Sequence, residues 1–177
     1  MSGQRLEGKV CVITGAGGGM GREAALLFCS EGAQVCAADV DGDLAERTAA
    51  DAGDAFAVQV DVADEASVKA MYEETAKRYG GIDVLYNNAG ISPNDDASVL
   101  DTSVEAWDRV QAVNTKGVFL CCKHGIPHLQ QRGGGSVINV ASFAYCSSSV
   151  ITTQSRTRVA SRTSAAAART TRPARGG

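Results

Sequence analysis

Apolar and polar positions fall along this chain in blocks of two periods. Val10–Thr14 is a short apolar run rich in β-branched residues, which predicts a buried strand. Residues 20–30 carry Ala24, Ala25, Leu27 and Phe28 at helical spacing and close at Glu31-Gly32. Gln34–Asp39 predicts a second strand, residues 44–52 a second helix, and residues 56–60 a third strand running into Asp61-Val62. Residues 64–79 place Val68, Met71, Tyr72, Ala76 and Tyr79 on one helical face, and Gly80-Gly81 ends that helix. Residues 84–86 predict a fourth strand, followed by Asn87-Asn88-Ala89-Gly90 and a polar loop over 92–97. A long helix is predicted from about residue 103 to residue 123 or beyond; Gly133-Gly134-Gly135 breaks it, and residues 136–140 form a fifth strand. Strands that alternate with helices imply an α/β fold of the Rossmann type, a doubly wound parallel sheet with helices on both faces. Right-handed crossovers favour the strand order 3-2-1-4-5.

The turn after the first strand reads Thr14-Gly15-Ala16-Gly17-Gly18-Gly19-Met20-Gly21. Gly15 permits a tight exit from the strand, Gly19 a close approach of backbone to a pyrophosphate, and Gly21 close packing of helix on sheet. The free N–H groups where Gly19, Met20 and Gly21 open the helix favour phosphate charge. Asp39 closes the second strand, 18 residues past Gly21. A carboxylate there accepts hydrogen bonds from an adenosine ribose and repels a 2′-phosphate, which predicts NAD in preference to NADP.

Charge divides the chain unevenly. Residues 151–177 hold six arginines and no carboxylate, so the first 150 residues carry −9 against a net charge of −3. The last acidic residue is Asp108. The reading is therefore an acidic NAD-binding domain over 1–145 and a basic, Ala/Thr/Arg/Ser-rich, disordered tail over 146–177. Six charges without interleaved aromatics imply nonspecific, salt-sensitive attraction at most, so neither a specific nucleic acid nor a membrane is expected as partner. The six cysteines form no Cys-x-x-Cys pair and read as buried free thiols. With a polar N-terminus and no apolar run near the ~20 residues of a membrane helix, the expectation is a cytoplasmic chain. Cys121, His124 and His128 share one helix face at a spacing that resembles metal ligation, but a helix packed on a sheet gives them structural or surface roles, and no metal is expected.

Five motifs in order carry a resemblance to the short-chain dehydrogenase/reductase family over about residues 6–143. Thr14-Gly15-x-x-x-Gly19-x-Gly21 resembles its cofactor loop, Asp61-Val62 its adenine site, and Asn87-Asn88-Ala89-Gly90 its fourth-strand motif. Asn114 matches its active-site asparagine and Ser142 its catalytic serine. The resemblance implies NAD-linked interconversion of a secondary alcohol and a ketone. Cofactor would be held by Gly15, Gly19, Met20, Gly21, Asp39, Asp61, Val62, Asn88, Ala89 and Gly90. Small alcohols or carbonyls are the implied substrates, and the family is usually homo-oligomeric.

The resemblance then breaks. The family's Tyr-x-x-x-Lys falls about a dozen residues after the serine; here positions 155 and 159 are serine and valine, Tyr145 reads as a loop aromatic, and no lysine follows Lys123. The composition of the tail is what GC-rich codons give in a wrong frame, so the reading is a truncated or frameshifted member of low activity. The alternative is a non-catalytic nucleotide-binding or regulatory fragment that pairs with intact subunits. A sheet ending at the fifth strand leaves Val137, Ile138 and Val140 on an uncovered edge, a template for association. The coding DNA tests the frameshift: another frame past the codon for Ser142 should encode Tyr-x-x-x-Lys about a dozen residues on, followed by further strand–helix units. Its absence from both other frames would make the tail a genuine sequence.

Overall fold

The computed structural model describes residues 4–96, 98, 100–144 and 150–160. The elements are β1 (Val10–Thr14), α1 (Gly19–Ser30), β2 (Gln34–Asp39), α2 (Gly42–Ala52), β3 (Ala55–Gln59), α3 (Glu65–Tyr79) and β4 (Val84–Asn87). They continue with α4 (Val104–Gln111), a π-helical segment (Ala112–Gly117), α5 (Val118–Gln131), β5 (Gly134–Ala144) and β6 (Val150–Ala160). The first five strands are parallel in the predicted order, with β1 at the centre: Val12 lies between Cys36 of β2 and Leu85 of β4.

Alternation along β1 builds two cores. Val10 and Val12 face α3 and α5 with Phe56, Val68, Met71, Tyr72, Leu85, Leu120 and Leu129. Cys11 and Ile13 face the other way, with Val35, Ala37 and Tyr86, and are covered by Ala25 of α1 and Ala49 of α2. Small residues dominate this second core, so the two helices lie close on the sheet. On the first face Gly125 does the same for α5: a Cβ there would stand 2.6 Å from Leu85 Cδ1 and 2.8 Å from Tyr72 Cζ.

The entry ends of the central strands are clasped by Asp83, a residue outside the expected site. Its buried carboxylate accepts from Val10 N at 3.0 Å and faces Lys9 Nζ and Arg132 Nε at 3.5 Å each. Its backbone donates to Val10 O and accepts from Ser136 N, so β1, β4 and β5 start from one point.

Two elements differ from the sequence reading. The long helix after residue 103 is not uniformly α-helical, since residues 112–117 widen into π geometry around Asn114. Residues 150–160, assigned to the tail, run as β6 antiparallel to β5, from Gly134 opposite Ala160 to Ala144 opposite Val150. The edge expected to be open is thus paired. Val150, Ile151, Thr152, Thr153, Thr157 and Val159 are β-branched, which suits extended backbone. Tyr145, Cys146 and the arginines at 162, 169, 172 and 175 lie outside the described residues. No helix among the described residues is long and apolar enough to cross a membrane.

Among the described residues the cysteines are free thiols, with Cys11, Cys36 and Cys121 buried. Burial pushes each of these up to about 12 from an ordinary value of 9.0. The unfolded chain loses those protons first, so the fold should lose stability as pH rises from about 9 toward 12. Urea unfolding should show a lower midpoint at pH 10 than at pH 8. Gly125→Ala should also destabilise. Helix propensity gives back about 1 kcal/mol, against an overpacking cost of about 1–3 kcal/mol, and the net should appear as a melting temperature lower by several degrees.

Candidate functional site

The exit ends of β1, β2 and β4 bring most of the expected residues together. Thr14, buried at the end of an otherwise apolar strand, accepts on Oγ1 from Asn88 N at 3.1 Å and Ala89 N at 3.2 Å. Asn88 returns the contact: its Nδ2 donates to Thr14 O at 3.0 Å and Gly15 O at 3.2 Å. Gly15 turns the chain at φ +67°, and a Cβ on it would stand 2.9 Å from Ala89 Cα. A Cβ on Gly21 would collide with Gly15 O and come within 2.7 Å of Asn88 Nδ2. The glycine loop, the first turn of α1 and the loop after β4 are therefore in contact, and no side chain fits between them. Gly19 also takes a left-handed φ of +49°, and Met20 beside it is exposed.

Asp39 ends β2 beside this loop. Its Oδ2 accepts from Gly17 N at 2.8 Å and its Oδ1 from Asp41 N at 3.0 Å. On the other side, the loop after β4 is held by the π segment. Asn114 accepts from Ile91 N and donates to Ile91 O, both at 2.8 Å, and Gly90 lies under its side chain. Asp61 accepts from Ala63 N at 2.8 Å, a turn of its own, while buried Val62 packs where a Cβ on Gly117 would be, 2.8 Å from Val62 Cγ2.

The backbone of Ser142 lies in β5 opposite Thr152, three residues past Asn139, the last residue of β5 paired with β4. Positions 155 and 159, where the resemblance called for tyrosine and lysine, are on β6 opposite Asn139 and Gly135. Cys121, His124 and His128 each have a neighbour on α3: Cys121 lies beside Tyr72, His124 Nε2 is 2.9 Å from Glu65 Oε1, and the His128 ring stacks on Tyr72.

Three residues that stand inside the quoted motifs have a part in the site that the sequence does not assign to them. Thr14 had a signal, a hydroxyl closing an apolar strand. Gly17 had none, since the first of three consecutive glycines carries no positional mark. Asn87 is buried and donates from Nδ2 to Asn139 Oδ1 at 2.8 Å, joining β4 to β5 just below the site. A cleft of about 480 Å³ opens at the opposite ends of the strands beside Leu6, Phe28 and Ile138, and no expected site residue lines it.

The family model described as short chain dehydrogenase matches residues 9–154. Meso-2,3-butanediol dehydrogenase of Serratia marcescens is 44% identical over 142 residues, covering 79% of this chain and 55% of that protein. 2-(R)-hydroxypropyl-CoM dehydrogenase of Xanthobacter autotrophicus is 42% identical over 142 residues, covering 77% of this chain and 57% of that protein. The crystal structure of 3-ketoacyl-(acyl-carrier-protein) reductase from Brucella melitensis, complexed with NADH, superposes with a TM-score of 0.69 at 43% identity, over 72% of this chain and 52% of that one. The chain spans about half the length of the curated relatives it matches. A family match over most of the sequence, together with a shared fold at this identity, decides the assignment: the chain belongs to the short-chain dehydrogenase/reductase family.

Proposed function

We propose that this chain binds NAD(H) across the exit ends of β1, β2 and β4, in a site derived for interconversion of a secondary alcohol and a ketone. The observation that carries this is how the helices begin. α2, α3 and α4 are each capped by a side chain, Asp41, Asp64 and Ser103, and each has an acid in its first turn. α1 has neither a side-chain cap on Gly18 nor an acid in its first turn. Its uncapped N–H groups and the positive end of its dipole open onto the glycine loop, which suits a pyrophosphate. The contacts at Gly15 and Gly21 hold that loop too close for side chains, leaving backbone as the binding surface. Asp39, partly exposed, would accept from the adenosine ribose; Asp61, Val62, Asn88, Ala89 and Gly90 frame the rest.

When bound, the nicotinamide ring gives or takes the hydride. The chain's own part is orientation and proton supply. Asn114 fixes the backbone at Ile91, and with it the loop on which Gly90 sits. Ser142, by resemblance, orients the substrate oxygen. The alkoxide formed on reduction needs a proton donor within hydrogen-bond reach. With Ser155 and Val159 at the positions of the family's tyrosine and lysine, that donor is missing. Loss of a general acid forfeits roughly 10²–10⁴-fold in rate, so NADH consumption with a panel of carbonyls should stay near background. The same substitutions favour the second reading, a nucleotide-binding protein that works beside intact enzyme subunits in a reducing cytosol.

Calorimetry tests the binding. NAD should bind at least about tenfold more tightly than NADP, roughly 1.4 kcal/mol, because the Asp39 carboxylate opposes a 2′-phosphate. Asp39→Ser should narrow the gap. Equal or tighter binding of NADP by the unmodified chain would defeat the assignment.

A further inference from the structure

We propose that Gly17 is a positioning residue for the Asp39 carboxylate, and that residue 17 thereby sets the choice between NAD and NADP. The inference rests on the NAD site proposed above. Gly17 contributes an amide and an empty space. The amide donates to Asp39 Oδ2 at 2.8 Å, while Asp41 N donates to Oδ1 at 3.0 Å, so both oxygens are fixed by backbone from two sides. An ionised carboxylate has about four acceptor sites. Two remain, enough for the two hydroxyls of a ribose.

The empty space is as specific as the amide. A Cβ on Gly17 would stand 2.9 Å from both Cγ and Oδ2 of Asp39 and 2.8 Å from Cβ of Leu44. Leu44 has little room to yield. It sits in the first turn of α2, its Cβ is one bond from the backbone, and its amide donates to the capping carboxylate of Asp41 at 3.1 Å. The Asp39 carboxylate is the free end and is what gives way. By contrast, a Cβ on neighbouring Gly18 or Gly19 meets nothing within 4 Å. Gly17 also lies outside the left-handed region, so its requirement is one of contact and not of backbone strain. A methyl group at 17 should therefore turn the carboxylate away from the ribose. That removes the acceptor that favours NAD and the charge that opposes NADP in a single step.

The experiment is calorimetric titration of NAD and NADP into the whole chain carrying Gly17→Ala, Asp39→Ser, or both. Gly17→Ala alone should weaken NAD about tenfold while NADP changes less than about threefold, narrowing the preference. In the Asp39→Ser background the same substitution should leave the NAD/NADP ratio unchanged, because the group it positions is gone. Equal weakening of both cofactors, or the same narrowing in both backgrounds, would mean that residue 17 only shapes the loop. That result overturns this inference and leaves the NAD site standing. Failure of the unmodified chain to prefer NAD overturns the site and this inference together. Should Gly17→Ala fail to fold, the amide resonance of Gly17 decides: it should move on Asp39→Ser and on addition of NAD, and a resonance indifferent to both overturns the proposal.

Discussion

The structure depends on one close approach, the contact between the chain leaving β1 and the chain leaving β4. Two parallel strands side by side end in loops that must pass each other and find partners for their backbone groups. Thr14 and Asn88 solve this reciprocally, the hydroxyl of one taking two amides and the amide of the other giving to two carbonyls. Buried N–H and C=O groups left unpaired would cost about 1–3 kcal/mol each. Gly15 and Gly21 follow as necessities, because the same bonds leave no volume for a Cβ at either position. The direction of α1, and so the aim of its N-terminus, is set by this contact.

The sheet carries an aspartate against a backbone amide at each end, with opposite consequences. Asp83 takes Val10 N, is buried, and has its remaining oxygen faced by Lys9 and Arg132. Asp39 takes Gly17 N and Asp41 N and stays partly open to solvent. The first is closed and holds strands together. The second has acceptor capacity left over, which is what distinguishes a group able to meet a ligand from one that only holds the fold.

Much of this was legible in the chain because local rules and the fold agree. β1, β2, α3 and the strand order follow from β-branched runs, helical periodicity and terminal glycines, each of which means the same thing locally and globally. α3 is the clearest, with Asp64 as its cap and left-handed Gly80 at its end. Legibility fails where a residue's part depends on what another segment brings to it. The glycines of the loop look alike in sequence, yet Gly17 faces a carboxylate and Gly18 faces open space. Asp83 reads as one more acid after a glycine pair until Val10 and Arg132 are placed around it. β6 is hidden for a different reason: its threonines and arginines read as low complexity, although Val150, Ile151, Thr152, Thr153, Thr157 and Val159 suit extended backbone.

The π segment has a consequence for what this helix tolerates. A π turn holds one residue more than an α turn. Elsewhere in the helix, losing one residue would rotate everything beyond it by about 100°, taking Leu120, Cys121 and Leu129 off the sheet together. Within residues 112–117 the same deletion should return the turn to ordinary α geometry and keep α5 in place on the sheet, since the π segment runs straight into α5. What disappears is the bulge that carries Asn114 to Ile91. At this stretch the turn has taken up an extra residue while Gly117 stays packed on Val62, so an insertion kept there answers to the loop that Asn114 supports.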